Sequence, residues 1–294
     1  FTVQPAEFMK IGMVLILSYM LTETDSAFVV KGKFRTAELK SKFYKDKFNK
    51  CVLFPLALMV FAFGIGVIVQ KDLGSSLILA AICFVCFMST PRDYYKKYKK
   101  LVWIALAVAV IILGFLITAV LQGYQLQRID SWLKPLKIEN IYDSSWQLVN
   151  SLIAFTDGGI FGLGLGNSIQ KYDYIPEAHN DFIGAIIYEE LGIFGLALMI
   201  IPTAIIIFRL LKYADQIQNN KSRVILIGIA SYFMLHLFVN LGGVSGLIPM
   251  TGVPLLLVSS GGSSTIAALI AIGIAQAIIS KFNKEQLEKT DTQL

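Results

Sequence analysis

Charge is what this sequence has least of. Asp, Glu, Lys and Arg make up 16% of its 294 residues, against 55% hydrophobic, where soluble globular chains carry about a quarter charged. That scarcity excludes an ordinary soluble domain. Histidine is rarer still: two residues, far apart and without an H-x-x-x-H spacing, give no zinc site. The three cysteines make no disulfide framework. Cys83 and Cys86 form a C-x-x-C inside the apolar run 77–88, where two small thiols one turn apart read as packing filler ahead of a redox or metal pair. No initiating Met and no signal peptide precede Phe1, and the chain opens inside a patterned region, which predicts that further spans lie before it.

What is present is a series of long apolar runs. They predict an all-α, polytopic helical membrane protein with seven spans, near 6–24, 52–69, 73–89, 101–121, 182–208, 223–242 and 262–280. Residues 1–294 are expected to form one integral membrane domain, with a long outer loop at 122–181 and a second outer loop at 243–261.

The few charges are sorted between the connections. The stretch 31–50 holds eight Lys/Arg and 92–100 holds five, and Arg209, Lys212, Lys221, Arg223, Lys281, Lys284 and Lys289 follow later spans. On the other side, 243–261 has no charge and 122–181 has four Lys/Arg against seven Asp/Glu. Alternation of this kind places the basic connections and the C-terminus in the cytoplasm and the acidic loop outside. The formal charge of +6 is therefore an orientation signal and a contact for anionic headgroups. No aromatic platform interleaves with the basic runs, so nucleic acid is not an expected partner.

Chemistry concentrates at the end of the long outer loop. Glycines 158, 159, 162, 164 and 166 precede Asp173, Glu177, His179 and Asp181, four polar groups converging where an apolar run begins. No strand precedes these glycines and no Gly-Lys-Ser/Thr occurs, so this is no nucleotide fingerprint. Trp132, Trp146 and the segment 148–155 predict short amphipathic helices in the membrane interface. Asn180 or Asp181 could simply cap the helix that follows. Asp181 could equally be a general base at the outer surface, and the two roles are compatible. Glu189 and Glu190 fall eight and nine residues into that span, roughly 12–14 Å deep at 1.5 Å per residue. Carboxylates there need a cavity or a cation. Lys10 is the available partner, although Glu7 and Lys10, spaced i, i+3, could satisfy each other. The uncharged 243–261 loop, rich in Gly, Pro and Ser, is either re-entrant backbone or a plain connection.

Six motifs in order then resemble one family. Gln4-Pro-Ala-Glu-Phe-Met-Lys10 is similar to a Q-P-[SA]-E-x-x-K motif, and Gln70-Lys-Asp-Leu-Gly-Ser75 to [QE]-P-D-L-G-[TS] with Lys71 in place of proline. The segments 164–171, 176–182 and Glu189-Glu-Leu-Gly192 follow, and Pro249-Met-Thr-Gly252 with Ser259-Ser-Gly-Gly-Ser-Ser264 closes the series. Together they resemble the SEDS family, the peptidoglycan glycosyltransferases of the RodA and FtsW type, with wording closer to FtsW. Thr251 and Ser260 depart from the division-type pattern, which has a lysine and an aromatic there.

The resemblance implies ten spans, of which three would precede this chain, in a multi-pass protein of the bacterial cytoplasmic membrane. It implies polymerisation of lipid II on the outer face, with inversion and loss of undecaprenyl diphosphate. Asp181 carries over as the general base. Lys10, Lys71, Arg128 and Lys171 are the cationic candidates for the diphosphate, with Glu7, Asp173, Glu177, His179 and Ser263 as further substrate contacts. A divalent cation cofactor, Mg²⁺ or Mn²⁺, held by Asp173, Glu177 or Asp181, is the alternative source of that charge, and the sequence leaves the choice open. Implied partners are lipid II, membrane lipids and a class B penicillin-binding protein. The competing readings are a flippase or other transporter, using Glu189, Glu190 and Lys10 as its pathway, and a non-catalytic scaffold for the transpeptidase.

Overall fold

A computed structural model describes residues 4–22, 46, 48–91, 95–96, 98–100, 131–137, 145–172, 174–176 and 178–291. Every regular element among them is helical: α1 (Pro5–Thr22), α2 (Phe54–Gly64), α3 (Leu73–Ser89), α4 (Trp146–Gly158), α5 (Ile183–Gln216), α6 (Asn220–Val244) and α7 (Gly262–Asp291). π-helical turns at Asn49–Leu53 and Ile65–Val69 extend α2 at both ends. Helices α1, α5, α6 and α7 are long and apolar enough to cross a membrane, and Phe54–Val69 and α3 are shorter apolar helices. The expected span at 101–121 and most of the basic 31–50 stretch lie outside the described residues.

Hydropathy located the spans but not the helix ends. The apolar stretch expected at 262–280 continues as helix to Asp291, where Lys281–Glu285 and Lys284–Glu288 pairs at i, i+4 line the charged last turns. The stretch expected at 182–208 likewise continues to Gln216. Lipid solvation stops at the first charges, whereas backbone hydrogen bonding does not.

The chain packs as two compact units. One comprises Phe1–Pro91, Ile206–Tyr232 and Ile266–Leu294, and the other Arg92–Ile205 and Phe233–Thr265. In the first, Gly228 of α6 lets α1 and α3 come close. A methyl at Gly228 would stand 2.6 Å from Val14 Cγ1 and 2.9 Å from Cys86 Sγ, the small-residue contact that helices use where lipid gives no hydrophobic drive. Cys83 and Cys86 are free and buried, which fits the filler reading.

The second unit is built around Ala154, Ile175, Ala178, Phe182, Ala185, Ile186 and Val244, with Phe155, Leu241 and Met250 packed against them. This core joins α4, the 175–182 loop, the start of α5 and the end of α6. Ser151 Oγ on α4 donates to the Val244 carbonyl at 2.7 Å, and Trp132 Nε1 donates to the Gly246 carbonyl at 2.8 Å. The expected amphipathic segment is thus helix α4, with Leu148, Val149 and Ala154 buried.

Candidate functional site

Residues 253–256 run buried and irregular between α6 and α7. Their carbonyls are met by side chains from α6. Asn240 Nδ2 donates to the Val253 carbonyl at 2.8 Å, and His236 Nδ1 lies 3.2 Å from the Pro254 carbonyl, which requires the proton on Nδ1. His236 and Asn240 are one turn apart, on the same helix face. This is the condition under which non-helical backbone is tolerated at membrane depth.

The same Asn240 amide donates to the Asp181 carbonyl, also at 2.8 Å. Ser259 and Ser260 hold the neighbouring residues. Ser259 Oγ accepts the Leu255 N–H and donates to the Asn180 carbonyl, both at 2.8 Å. Ser260 donates its hydroxyl to Asn180 Oδ1 and its N–H to the His179 carbonyl at 3.1 Å. Two stretches far apart in sequence, 179–181 and 252–260, are therefore stitched into one surface. Asp181 lies on it, half-buried. Its carboxylate faces Gly252, where a methyl would stand 3.4 Å from Oδ2 and where φ is +70°. A side chain at Gly252 would be strained and would crowd the carboxylate.

The capping alternative changes in this geometry. The first helical carbonyl of α5 is that of Phe182, which accepts the Ile186 N–H. Phe182 occupies the N-cap position, Asp181 stands one residue before it, and the Asn180 oxygen is taken by Ser260.

Glu189 and Glu190 are placed differently from the expectation. Helix α5 breaks at Gly192 (φ 59°, ψ −140°), so residues 183–191 and 193–216 are separate helical segments. Both carboxylates precede this break, so they end a short segment, 183–191, instead of lying within one continuous span. The glycine loop docks across the break. Leu163 and Gly164 donate N–H bonds to the Glu189 and Glu190 carbonyls, each at 2.9 Å, and the Ile160 carbonyl accepts the Ile193 N–H at 3.0 Å. Methyls at Gly158, Gly162 or Gly192 would collide with the backbone opposite.

Nor is Lys10 the partner of these carboxylates. Glu189, fully buried, accepts the Ser168 hydroxyl, the Ile169 N–H at 2.9 Å and the Gln170 N–H at 3.3 Å. Glu190 pairs with Lys171 at 2.8 Å. That hydrogen bond holds the Lys171 ammonium pKa above the ordinary lysine value. Lys10 is held by Glu7 at 2.6 Å, both fully buried, and Tyr232 donates its hydroxyl to Glu7 at 3.2 Å. Beside them Gln4 donates to Asp72 at 3.0 Å, and Asp72 caps α3 through the Ser75 N–H at 2.9 Å. Two of the six motifs, at 4–10 and 70–75, thus meet through a half-buried Gln4–Asp72 hydrogen bond.

The remaining candidates separate cleanly. Lys71 is exposed, with φ 53°, a backbone that proline cannot adopt. His179 is exposed, and Ser263 is buried in the first turn of α7. Arg128, Asp173 and Glu177 lie outside the described residues. Among the described residues no three His, Cys, Asp or Glu side chains gather as metal ligands. Sequence reasoning missed Asn240, His236 and Tyr232. The first two carried a usable signal, being polar residues at i, i+4 within an apolar span.

Comparison with known proteins identifies the family and the fold. The FtsW/RodA/SpoVE family, described as "Cell cycle protein", matches residues 1–285. A "Probable peptidoglycan glycosyltransferase FtsW" of Bacillus subtilis is 35% identical over 96% of this chain and 66% of its own length. The "Stage V sporulation protein E" of the same organism is 31% identical over 93% and 68%, and the Haemophilus influenzae FtsW is 34% identical over 92% and 63%. The chain spans about two thirds of the length of these relatives. Two solved structures share the fold. One, described as "Structural coordination of polymerization and crosslinking by a peptidoglycan synthase complex", has a TM-score of 0.63 at 24% identity over 94% of this chain and 69% of that one. A rod shape determining protein RodA variant from Thermus thermophilus gives 0.54 at 22% over 94% and 65%. The chain is a polytopic membrane protein that belongs to the FtsW/RodA/SpoVE family.

Proposed function

We propose that the chain is the membrane body of a peptidoglycan glycosyltransferase that polymerises lipid II into glycan strands. The observation that carries this reading is the Asp181 carboxylate, half-buried and aimed at Gly252, on a surface whose backbone is fixed from α6 and from the 252–260 loop. Fixed placement is what a general base needs, and positioning accounts for a large share of catalysis. Asp181 takes the proton of a sugar 4-hydroxyl as that oxygen bonds to the anomeric carbon. The bond from that carbon to the diphosphate oxygen breaks with inversion, and undecaprenyl diphosphate leaves.

The leaving group needs positive charge. Lys10 and Lys171 are committed to Glu7 and Glu190, so the proposal turns to Lys71, Arg128 or a divalent cation. Mg²⁺ or Mn²⁺ held by Asp181 with Asp173 or Glu177 would supply that charge. The transporter reading is weakened by the same pairing, because its pathway acids are enclosed by partners within the fold. A class B penicillin-binding protein partner, an outward-facing Asp181 and a cytoplasmic C-terminus belong to the proposal. The charge alternation supports that orientation. Cysteines at Asn140 and Gly246 should react with an impermeant thiol reagent in intact cells, and one at Lys42 should not.

The test is polymerisation of labelled lipid II by the purified intact protein. Asp181→Asn should fold and insert normally while losing about 10²-fold or more in rate, the usual scale of general-base catalysis. Wild-type polymer yield from that variant would overturn the assignment.

A further inference from the structure

The glycine loop has a property that the reaction does not explain. Residues 158–170 contain no charged side chain, yet the loop presents large apolar groups outward. Phe161 is 79% exposed and Leu165 77%, with Ile160 and Ile169 also exposed. A turn facing water would ordinarily mix charge into such a patch. Much of its backbone, meanwhile, is paired from within the protein. The N–H groups of Gly162, Leu163, Gly164 and Asn167 donate to the carbonyls of Gly158, Glu189, Glu190 and Gly164. The carbonyls of Ile160, Leu163 and Gly166 accept from the Ile193 N–H, Asn167 Nδ2 and Lys171 Nζ. The nearest charge, Lys171, is matched by Glu190.

Irregular backbone is tolerated at membrane depth only where protein covers it, and this loop turns its paired backbone groups onto α5 while its large apolar side chains are the exposed part. Continuity gives the occupant. Ile160 is hydrogen-bonded to Ile193, the first residue of the apolar 193–216 segment, where Ile193 and Phe194 are exposed in turn. The loop tip therefore extends the lipid-facing surface of a membrane span. Tyr172 and Tyr174, both exposed, stand where the chain leaves the patch, as aromatics do at a membrane boundary. We infer that residues 160–169 form a wedge inserted into the bilayer leaflet at the start of the 193–216 segment, with Phe161 and Leu165 in contact with acyl chains.

The experiment uses the intact protein reconstituted in phosphatidylcholine vesicles. An environment-sensitive fluorophore is placed through Phe161→Cys or Leu165→Cys, with Gln218→Cys as the exposed control. Labelling is done with Cys51, Cys83 and Cys86 replaced by alanine, and repeated with them retained. Expected are blue-shifted emission at 161 and 165, quenching by lipids spin-labelled near the top of the acyl chain, and protection from iodide. The control should show the reverse. Adding Phe161→Asp should carry the probe at 165 into water, whereas Phe161→Leu should not. Iodide access at 161 and 165 would overturn the inference, and so would protection from both quenchers, since a protein surface or a second copy would then cover the patch.

Discussion

Two carboxylates among the described residues are fully removed from solvent, and they are stabilised in opposite ways. Glu7 has a cation, Lys10, at 2.6 Å and a phenol, Tyr232, at 3.2 Å. Glu189 has dipoles: one hydroxyl and the amides of Ile169 and Gln170. The first arrangement joins side chains on two helices and is only as good as its geometry, because a buried ion pair must offset its own desolvation. The second uses a folded turn as the counter-charge, and its two amide donors belong to the backbone, out of reach of an ordinary side-chain substitution. One is a bond between side chains. The other ties a side chain to a loop conformation.

The largest effect should come from breaking the first. Glu7→Ala leaves Lys10 buried without its acid and should cost about 3–5 kcal/mol, measured by thermal unfolding in detergent. Glu7→Gln with Lys10→Met should recover most of that loss. Failure of the double variant to recover would show that the pair does more than neutralise charge. Glu189→Gln comes next. It turns an amide group toward N–H donors and should cost about 1–3 kcal/mol, with faster proteolysis of the 158–172 loop as its local signature. No second substitution at a lysine should rescue it, which sharpens the contrast with Glu7.

Asn240→Asp keeps the shape but sets oxygen against the Asp181 and Val253 carbonyls. Its stability loss should be about 1–2 kcal/mol, and polymerisation should fall further than that loss accounts for, read as kcat at saturating lipid II. Asn240→Ala, with the donors absent but no repulsion added, should fall between Asp and wild type. Smallest of all is Lys171→Met. The Lys171–Glu190 pair is partly exposed, and pairs of that kind add little. The Lys171 pKa is raised in the folded protein, so whatever the pair contributes is fully present at neutral pH. It should be lost only as pH rises through that raised value, above about 10.4. A flat loop-proteolysis profile from pH 6 to 9 in the wild type checks the sign.

The sequence made some of this plain and hid the rest for physical reasons. The described spans were legible because the bilayer imposes a length and a polarity on each. The neighbourhood of Asp181 stood out because four polar groups met an apolar run. The break at Gly192 was not legible: Glu189-Glu-Leu-Gly-Ile-Phe-Gly195 reads as continuous helix, and the 158–164 loop that docks across the break lies far back in the sequence. The partner of Glu189 was hidden for a related reason. Lysines can be counted along a chain, whereas amide donors become a counter-charge only once a turn exists. Ser259 and Ser260 fell in a stretch that could be re-entrant backbone or a plain connection, and prove to be bonded to Asn180 and His179.

One amide at Asn240 holds two carbonyls from separate stretches, Asp181 on one side and Val253 on the other. Mechanically this makes α6 a common shaft. A loop tethered only to itself fluctuates with its own small stiffness, but two loops pinned to one helix inherit the stiffness of that helix and move in phase. The gap between the Asp181 carboxylate and Gly252 is then insensitive to small turns of α6 about its axis, because both of its sides are carried by the same amide.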